Sequence, residues 1–412
     1  MSVHSPESPK STEEPELYVA ELVDVGGPKF SVPAKRSPSG KKSRSRAFVT
    51  GSIRITGVVL KSLFGLASMI VGLSVIATIP ILQLASLGYL LALSVRVAES
   101  GKLRSGFQDL TAWANVGGAI FATWLLMLPL RGLAGMRNSA LLLGNAEKAN
   151  GMTVVLAIAT ALMTVHVAWA WFRGGKFRHF LWPAPRKLIW RIRKGKMFAE
   201  SRDRFFEWFQ SLRVTEFLKT GFHGFVVAFA WLFVPVTLMF GSTRLPTNIG
   251  GVVSVISGLL VALVLLYLPF LQVNCARDGQ LTSGFDRERV KGQFRRAPIA
   301  WWFALLTTLA LALPLYLLKA ELIPREAAWL PSIVFVMSIL PARILTGWAV
   351  SRAEKRESDR HFVSRWTAFL VAIPVVLAYS LVVYLSQYIS WYGGFSLYEQ
   401  HAFMFPVPFL GG

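Results

Sequence analysis

The sequence Trp169-Ala-Trp-Phe-Arg173, followed by Arg178-His179-Phe180, occurs twice in this chain of 412 residues. The second copy reads Trp348-Ala-Val-Ser-Arg352, then Arg360-His361-Phe362, with three more residues between its two halves. Each copy follows an apolar run long enough to cross a bilayer, and each begins a basic segment. The pattern therefore predicts a duplicated membrane protein with several spans.

The composition agrees with a membrane location. The chain is 53% hydrophobic and only 16% charged, whereas soluble domains average about 25% charged residues. The net charge of +22 is typical either of nucleic-acid binding or of cytoplasmic membrane loops. The single cysteine, Cys275, excludes an internal disulfide and a cysteine-cluster metal site. The polar first 50 residues do not resemble a cleavable signal peptide.

The number of spans depends on residues 57–95, whose only charge is Lys61. A straight helix of this length would be almost twice the bilayer thickness. We predict either a hairpin broken near Pro80 or one span followed by a buried or interfacial helix. The later apolar runs are 111–130, 151–172, 222–243, 249–273, 298–318, 327–348 and 366–388.

Lys and Arg residues favour the hairpin. With the N-terminus inside, 36 of the 44 fall in cytoplasmic segments and 6 in outer ones, as the positive-inside rule requires. We therefore predict an all-α polytopic bundle of nine spans in a bacterial inner membrane, with a cytoplasmic N-terminus and an extracytoplasmic C-terminus. Eight spans are the alternative. One short match opposes the hairpin, because Pro80-Ile-Leu-Gln83 resembles Pro269-Phe-Leu-Gln272 at the other membrane face.

The duplication extends beyond the opening motif. Residues 97–107 align with 275–285, and residues 126–130 align with 311–315. Four spans per copy give two tandem units in the same orientation, a parallel repeat. The predicted organisation is a disordered cytoplasmic tail, acidic then basic (1–54), a first unit (55–180), a basic amphipathic segment on the inner leaflet (181–221), a second unit (222–362), and a final span with an aromatic extracytoplasmic tail (363–412).

Two basic segments are expected to meet anionic lipid headgroups on the cytoplasmic face. The N-terminal tail also fits a solvated positive-inside flank, and residues 173–219 also fit a protein-binding surface. Nucleic acid is not expected, because 173–219 lies between two spans. The candidate lipid contacts are Lys41, Lys42, Arg44, Arg46, Arg186, Lys187, Arg191, Arg193, Lys194 and Lys196.

Aromatic residues dominate 387–412, which has no Lys or Arg. Aromatic belts lie at membrane interfaces, so we predict an anchor on the outer face. A plug over an outer vestibule is the functional alternative.

Few polar residues lie within the predicted spans, and none is acidic. A carboxylate proton relay and an intramembrane metal site are therefore not expected. The polar candidates are Arg343, His166, Gln83 and Gln272. Arg343 is either functional or snorkels at the inner end of its span, and His166 fits a hydrogen-bonded packing residue. We find no nucleotide, zinc or hydrolase motif, so no catalytic residue, cofactor or metal is predicted.

Several stretches resemble an uncharacterised family of bacterial integral membrane proteins. They are Ala297-Pro-Ile-Ala-Trp-Trp302, Leu313 to Pro331, Pro341-Ala-Arg-Ile-Leu-Thr-Gly-Trp348, Ser386 to Gly393, Tyr398 to Ala402 and Tyr267 to Gln272. The resemblance covers most of residues 55–412. It implies a bacterial inner-membrane protein, and it carries no activity or site residue.

Three functions follow from these observations, in order of preference. The first is a non-enzymatic membrane protein that is transporter-like or lipid-handling, because duplicated bundles form a central interface where a ligand can bind. The second is a structural or assembly scaffold acting through the basic segments. The third is an enzyme that modifies lipid.

Overall fold

A computed structural model describes residues 42–193, 202–203, 206–207, 210, 212–319, 329–390, 393–400 and 403–405. For residues 42–55, 191–192, 317 and 319 it describes the backbone alone. The predicted all-helical class is confirmed, since these residues contain no β-strand. Two compact units divide the chain, Met1–Arg54 and Ile55–Gly412, and the contacts discussed below belong to the second.

The helices, numbered in chain order, are α1 Lys42–Ala77, α2 Leu82–Ser100, α3 Leu110–Leu142, α4 Ala146–Phe172, α5 Phe177–Leu181, α6 Pro185–Arg193, α7 Val214–Ser242, α8 Thr247–Asp278, α9 Arg287–Arg296, α10 Pro298–Ala312, α11 Trp329–Glu354 and α12 Phe362–Ile389. Short 3-10 helices lie at Leu103–Phe107, Leu281–Phe285, Leu313–Lys319 and Gly393–Tyr398.

Nine helices of the described part are long and apolar enough to cross a membrane, namely α1 to α4, α7, α8 and α10 to α12. The predicted hairpin is among them, because α1 ends at Ala77 and α2 begins at Leu82. Pro80 lies in the turn between them, whereas Pro269 lies inside α8. Their short sequence match therefore does not mark equivalent positions.

Helix α1 begins earlier than the sequence analysis predicted. Residues 42–54 were assigned to a disordered tail, but their backbone is helical. No proline occurs between Pro38 and Pro80, and the Lys, Arg and Ala residues of this stretch are good helix formers. The predicted disorder of residues 1–41 lies outside the described residues.

Helices α2, α8 and α11 run in the same direction. The backbone of α11 at Gly347 lies against the Ser94 carbonyl of α2, and Arg277 of α8 pairs with Glu354 of α11. These helices finish at one end of the bundle, together with α4. The segments that follow the four helices carry most of the Lys and Arg residues of 55–412. We call this the basic end.

The centre of the bundle is formed by α2 and α11, which are the most buried of the nine helices. Helices α2 and α7 cross closely where Gly88 faces Gly221, because a Cβ on Gly88 would lie 1.8 Å from the Phe217 carbonyl oxygen. The α3–α4 pair is peripheral, with exposed side chains such as Val154, Ile158 and Leu162. Such an apolar exposed surface is typical of a lipid-facing helix.

Two segments that align in sequence also share a backbone conformation. Gly101 and Gly279 end α2 and α8 with φ of 71° and 67°, and each N–H donates to the carbonyl four residues earlier. An extended residue and a five-residue 3-10 helix follow in both places. These similarities are local, and the tandem units of the whole chain remain a prediction.

Candidate functional site: a polar interior closed by a return segment

After α12 ends at Ile389, the chain turns back into the bundle. We call residues 393–405 the return segment, of which 393–400 and 403–405 are described. Phe395 packs on Phe240 near the end of α7, with ring centroids 5.4 Å apart. Further along, Phe405 packs on Phe225, with centroids 5.1 Å apart. The 15 residues between these α7 positions span about 22 Å of helix, most of a hydrocarbon core about 30 Å thick.

The return segment is buried rather than laid on the surface. Leu397 and Phe403 are fully buried, and Gln400 is 1% exposed. A surface anchor therefore does not describe Leu397, Gln400 and Phe403, for which the plug alternative is better, whereas Phe395 is 66% exposed; the outer-face location stays a prediction. An aromatic, uncharged sequence suits either position. Polar partners inside the bundle, described next, make the buried one possible because they satisfy its backbone groups.

Gln272 joins three parts of the interior. Its Nε2 donates to the Gly224 carbonyl oxygen at 2.9 Å and to the Phe403 carbonyl oxygen at 2.6 Å. Its Oε1 accepts from Nη1 of Arg343 at 2.9 Å. The amide thus links α7, α8, α11 and the return segment, and its donor and acceptor are both satisfied.

A second polar contact lies nearer the opposite end of the bundle. The Tyr316 hydroxyl donates to Oε1 of Gln400 at 3.2 Å and lies 3.3 Å from the Tyr379 hydroxyl. Nε2 of Gln400 donates to the Leu397 carbonyl oxygen at 2.8 Å. Both tyrosines are buried. Gln400 therefore holds the return segment to the 3-10 helix after α10, whose Tyr316 in turn contacts Tyr379 of α12.

Arg343 is an interior residue and does not snorkel. Its side chain is 3% exposed, and it lies 11 residues, about 16 Å, before the end of α11 at Glu354. A guanidinium at this depth is costly unless it is bonded, and Gln272 supplies one acceptor. Of the predicted polar candidates, the structure brings Arg343 and Gln272 together.

The other two candidates lie apart from this cluster. Nε2 of His166 donates to the Phe180 carbonyl oxygen at 2.7 Å, which ties α4 to α5. Gln83 is buried in the first turn of α2. Neither residue contacts Arg343 or Gln272 in the described hydrogen bonds, so His166 has the packing position that its sequence context indicated.

One carboxylate that was not among the predicted candidates, Asp109, contacts side chains of α2. Asp109 precedes α3 within a candidate span and accepts from Nη1 of Arg96 at 2.5 Å and from the Tyr89 hydroxyl at 3.3 Å. Trp113 Nε1 donates to the same hydroxyl at 3.0 Å. Asp109 lies just before the predicted apolar run 111–130, so the expectation that no acidic residue lies inside an apolar run stays a prediction. The 3-10 helix at Leu103–Phe107 packs back on α2 and carries Asp109 beside Tyr89.

The candidate lipid contacts are only partly described. Arg186, Lys187 and Arg193 are exposed on α6, beside the exposed Ile189 and Trp190. Lys41, Lys194 and Lys196 lie outside the described residues, and Lys42, Arg44, Arg46 and Arg191 are described by their helical backbone alone. Residues 202–203, 206–207 and 210 are helical and exposed, as an amphipathic surface helix requires.

The two copies of the opening motif differ in structure. In the first copy Phe180 is 2% exposed and packs against Ala119, Ala122 and Ala170 between α3 and α4. In the second copy its counterpart Phe362 is 60% exposed and begins α12. The His-Phe pair thus packs onto α3 and α4 in the first copy, whereas in the second copy it stands at the exposed start of α12.

His179 is buried beside Phe180. Burial, followed by the nearby cations Arg173 and Arg178, lowers the pKa of its imidazole below the ordinary 6.5. The ring is therefore neutral at pH 7 and packs as part of α5. Among the described residues no group of three His, Cys, Asp or Glu side chains is placed to hold a metal ion.

The apolar helices and the polar interior define a multi-pass α-helical membrane protein. A family model described as a protein of unknown function (DUF4013) matches residues 201–322, which contain α7 to α10 and so Gln272. This match fits the uncharacterised family that the sequence resembles. No curated protein and no solved structure matches the chain.

Proposed function

We propose that the protein is a non-enzymatic, transporter-like membrane protein whose interior is closed here by the return segment. The observation that supports this is the pair of contacts Gln272–Phe403 and Tyr316–Gln400. Irregular backbone at membrane depth is tolerated only where protein buries it or where it lines an aqueous cavity. A segment of this kind, held by hydrogen bonds from Gln272 and Tyr316 and by the burial of Leu397 and Phe403, is suited to alternate between those two situations.

Arg343 gives the interior a preference for negative charge. A guanidinium stays protonated, and its field is strong where water is excluded. A solute or lipid headgroup that reached this part of α11 would be favoured if it were anionic. The return segment lies between such a solute and the Gln272–Arg343 pair, so its displacement would be the opening step.

We further propose that the basic end faces the cytoplasm of a bacterial inner membrane. The Lys and Arg residues that surround this end satisfy the positive-inside rule. In the same proposal the aligned segments around Gly101 and Gly279 belong to two tandem units. Helix α6, with Trp190 exposed beside Arg186, would lie on the inner leaflet.

The test is halide entry into proteoliposomes that contain a trapped halide-quenched dye. Gln400→Leu removes the amide that holds the return segment, and the loss of a buried hydrogen bond costs about 1–3 kcal/mol. If the lost hydrogen bond stabilises the closed state, the variant's open fraction rises about tenfold for each 1.4 kcal/mol lost. Halide entry should rise in the same proportion. Adding Arg343→Gln in the same chain should lower this entry again.

Gln387→Leu is the matched control, because Gln387 donates to Tyr384 within its own helix α12. It should leave halide entry at the wild-type level. Potassium entry, followed with a cation-sensitive dye, should remain low in every variant. If Gln400→Leu stays as impermeable as the wild type while its thermal unfolding shows the interior loosened, the transporter-like function is wrong. The scaffold function, through α6 and residues 173–219, would then be preferred.

A further inference from the structure

A groove at the basic end, distinct from the interior cluster, lies between the start of α10, the end of α11 and the start of α12. It encloses about 260 Å³. Drug-sized ligands occupy pockets of about 300–1,000 Å³, so this volume suits a smaller group. Three arginines, Arg352, Arg356 and Arg360, line it together with Ser364.

The arginines are positioned by neutral partners. The Arg352 guanidinium lies over the Trp348 ring, 5.2 Å from its centroid. Nη1 of Arg356 donates to the Arg296 carbonyl oxygen at 3.2 Å. The backbone N–H of Arg360 donates to the Arg295 carbonyl oxygen at 2.9 Å.

Two neighbouring carboxylates pair with other arginines. Glu354 pairs with Arg277, and Asp359 lies 3.4 Å from Arg365. Within the described residues, no ion pair joins Arg352, Arg356 or Arg360 to an acid. Their side chains present up to five donors each in a geometry that matches phosphate oxygens.

The other wall of the groove is apolar. Ile299 on α10 is 67% exposed and Trp348 is half-buried. The same side of α10 continues one turn further to Phe303, which is 45% exposed. A cationic rim beside an exposed apolar helix face is the arrangement that suits an amphiphile, with its charged group at the rim and its chain along the helix.

We propose that this groove binds a phosphate group, as carried by an anionic lipid headgroup or by free phosphate. Arg352 and Arg356 bind the phosphate oxygens, Arg360 and Ser364 complete the rim, and Trp348 and Ile299 contact the apolar part of a lipid.

The experiment uses the full chain in nanodiscs of phosphatidylcholine doped with phosphatidylglycerol, with bound lipid counted by native mass spectrometry. The double variant Arg352→Gln, Arg356→Gln should weaken phosphatidylglycerol binding about tenfold or more, since bidentate arginine–phosphate bonds are among the strongest polar contacts. The control is Lys102→Gln, Arg104→Gln, which removes the same charge from exposed positions at the same end. Its binding should change less than about twofold.

Inorganic phosphate separates the two sources. If millimolar phosphate leaves phosphatidylglycerol bound, the ligand is a lipid headgroup; if phosphate displaces the lipid and binds only where both arginines are present, the site takes free phosphate. The variant Arg352→Lys, Arg356→Lys keeps the charge and should retain part of the binding, which separates loss of the site from loss of folding. The proposal is overturned if the Gln double variant binds both ligands as the wild type does, or if the control weakens binding as much.

Discussion

The two copies of the Trp-Ala-x-x-Arg and Arg-His-Phe motif have nearly the same residues and opposite structures. In the first, Nη1 of Arg173 donates to the Trp182 carbonyl oxygen at 2.6 Å, and α5 folds back so that Phe180 is buried. In the second, three additional residues separate the halves, and the chain continues directly into α12. The copy with the shorter connector packs against its own chain, and the copy with the longer connector lies beside the groove proposed to bind phosphate.

The two copies should differ most in the stability effect of replacing their phenylalanine. Phe180→Ala should destabilise the docking of α5 by about 3–5 kcal/mol, because it empties a buried aromatic site. Phe362→Ala should change stability by less than about 0.5 kcal/mol, since its ring is mostly exposed. Hydrogen exchange of residues 177–190 in nanodiscs measures the first effect, and exchange at the start of α12 measures the second. Equal effects would mean that the two copies are packed alike.

Replacing the arginine of each copy should have opposite effects on local stability and on lipid binding. Arg173→Gln should loosen residues 177–182 by about 1 kcal/mol, the usual value of a hydrogen bond at a partly exposed site, and should leave phosphatidylglycerol binding unchanged. Arg352→Gln should lower lipid binding and leave hydrogen exchange of its own segment unchanged. Both variants are measured by exchange and by native mass spectrometry. A loss of lipid binding in both, or in neither, would remove the distinction.

The histidines give the smallest effect. Because burial lowers the pKa of folded His179 below 6.5, the unfolded segment takes up protons more readily as pH falls. The stability of α5 should therefore be complete above pH 6.5 and decline as pH falls below it, until the lowered folded pKa is passed. Hydrogen exchange of α5 between pH 7 and 5, corrected for its intrinsic rate, follows this decline. His179→Gln should abolish it, and the exposed counterpart His361→Gln should not.

The sequence predicted the spans well because length and polarity alone decide them. Residues 57–95 were too long for one crossing, and the distribution of Lys and Arg favoured a hairpin, which the structure contains. Arg343 and Gln272 were identified as candidates because polar groups are rare in apolar runs. Their contact depends on how α8 and α11 pack, so it was not predicted.

Other features depend on tertiary structure that leaves no local signal. Asp109 follows a loop in sequence, and only the backward packing of Leu103–Phe107 places it beside Tyr89. Gln400 lies outside the long apolar runs, and Tyr316, inside the run 298–318, is an aromatic residue of a kind common in membrane proteins, so neither was among the polar candidates. The aromatic residues after α12 have the same composition whether they lie on an interface or inside the bundle. The groove at Arg352 depends on how α10, α11 and α12 pack, so it was not predicted.

The return segment also has a consequence for the order in which the protein is made. Chains emerge from the ribosome N-terminus first, so all nine apolar helices precede residues 393–405. Until those residues are made, Nε2 of Gln272 lacks the Phe403 carbonyl oxygen as an acceptor, and the Tyr316 hydroxyl lacks Oε1 of Gln400. The polar contacts of the interior therefore cannot be complete until the return segment has been made.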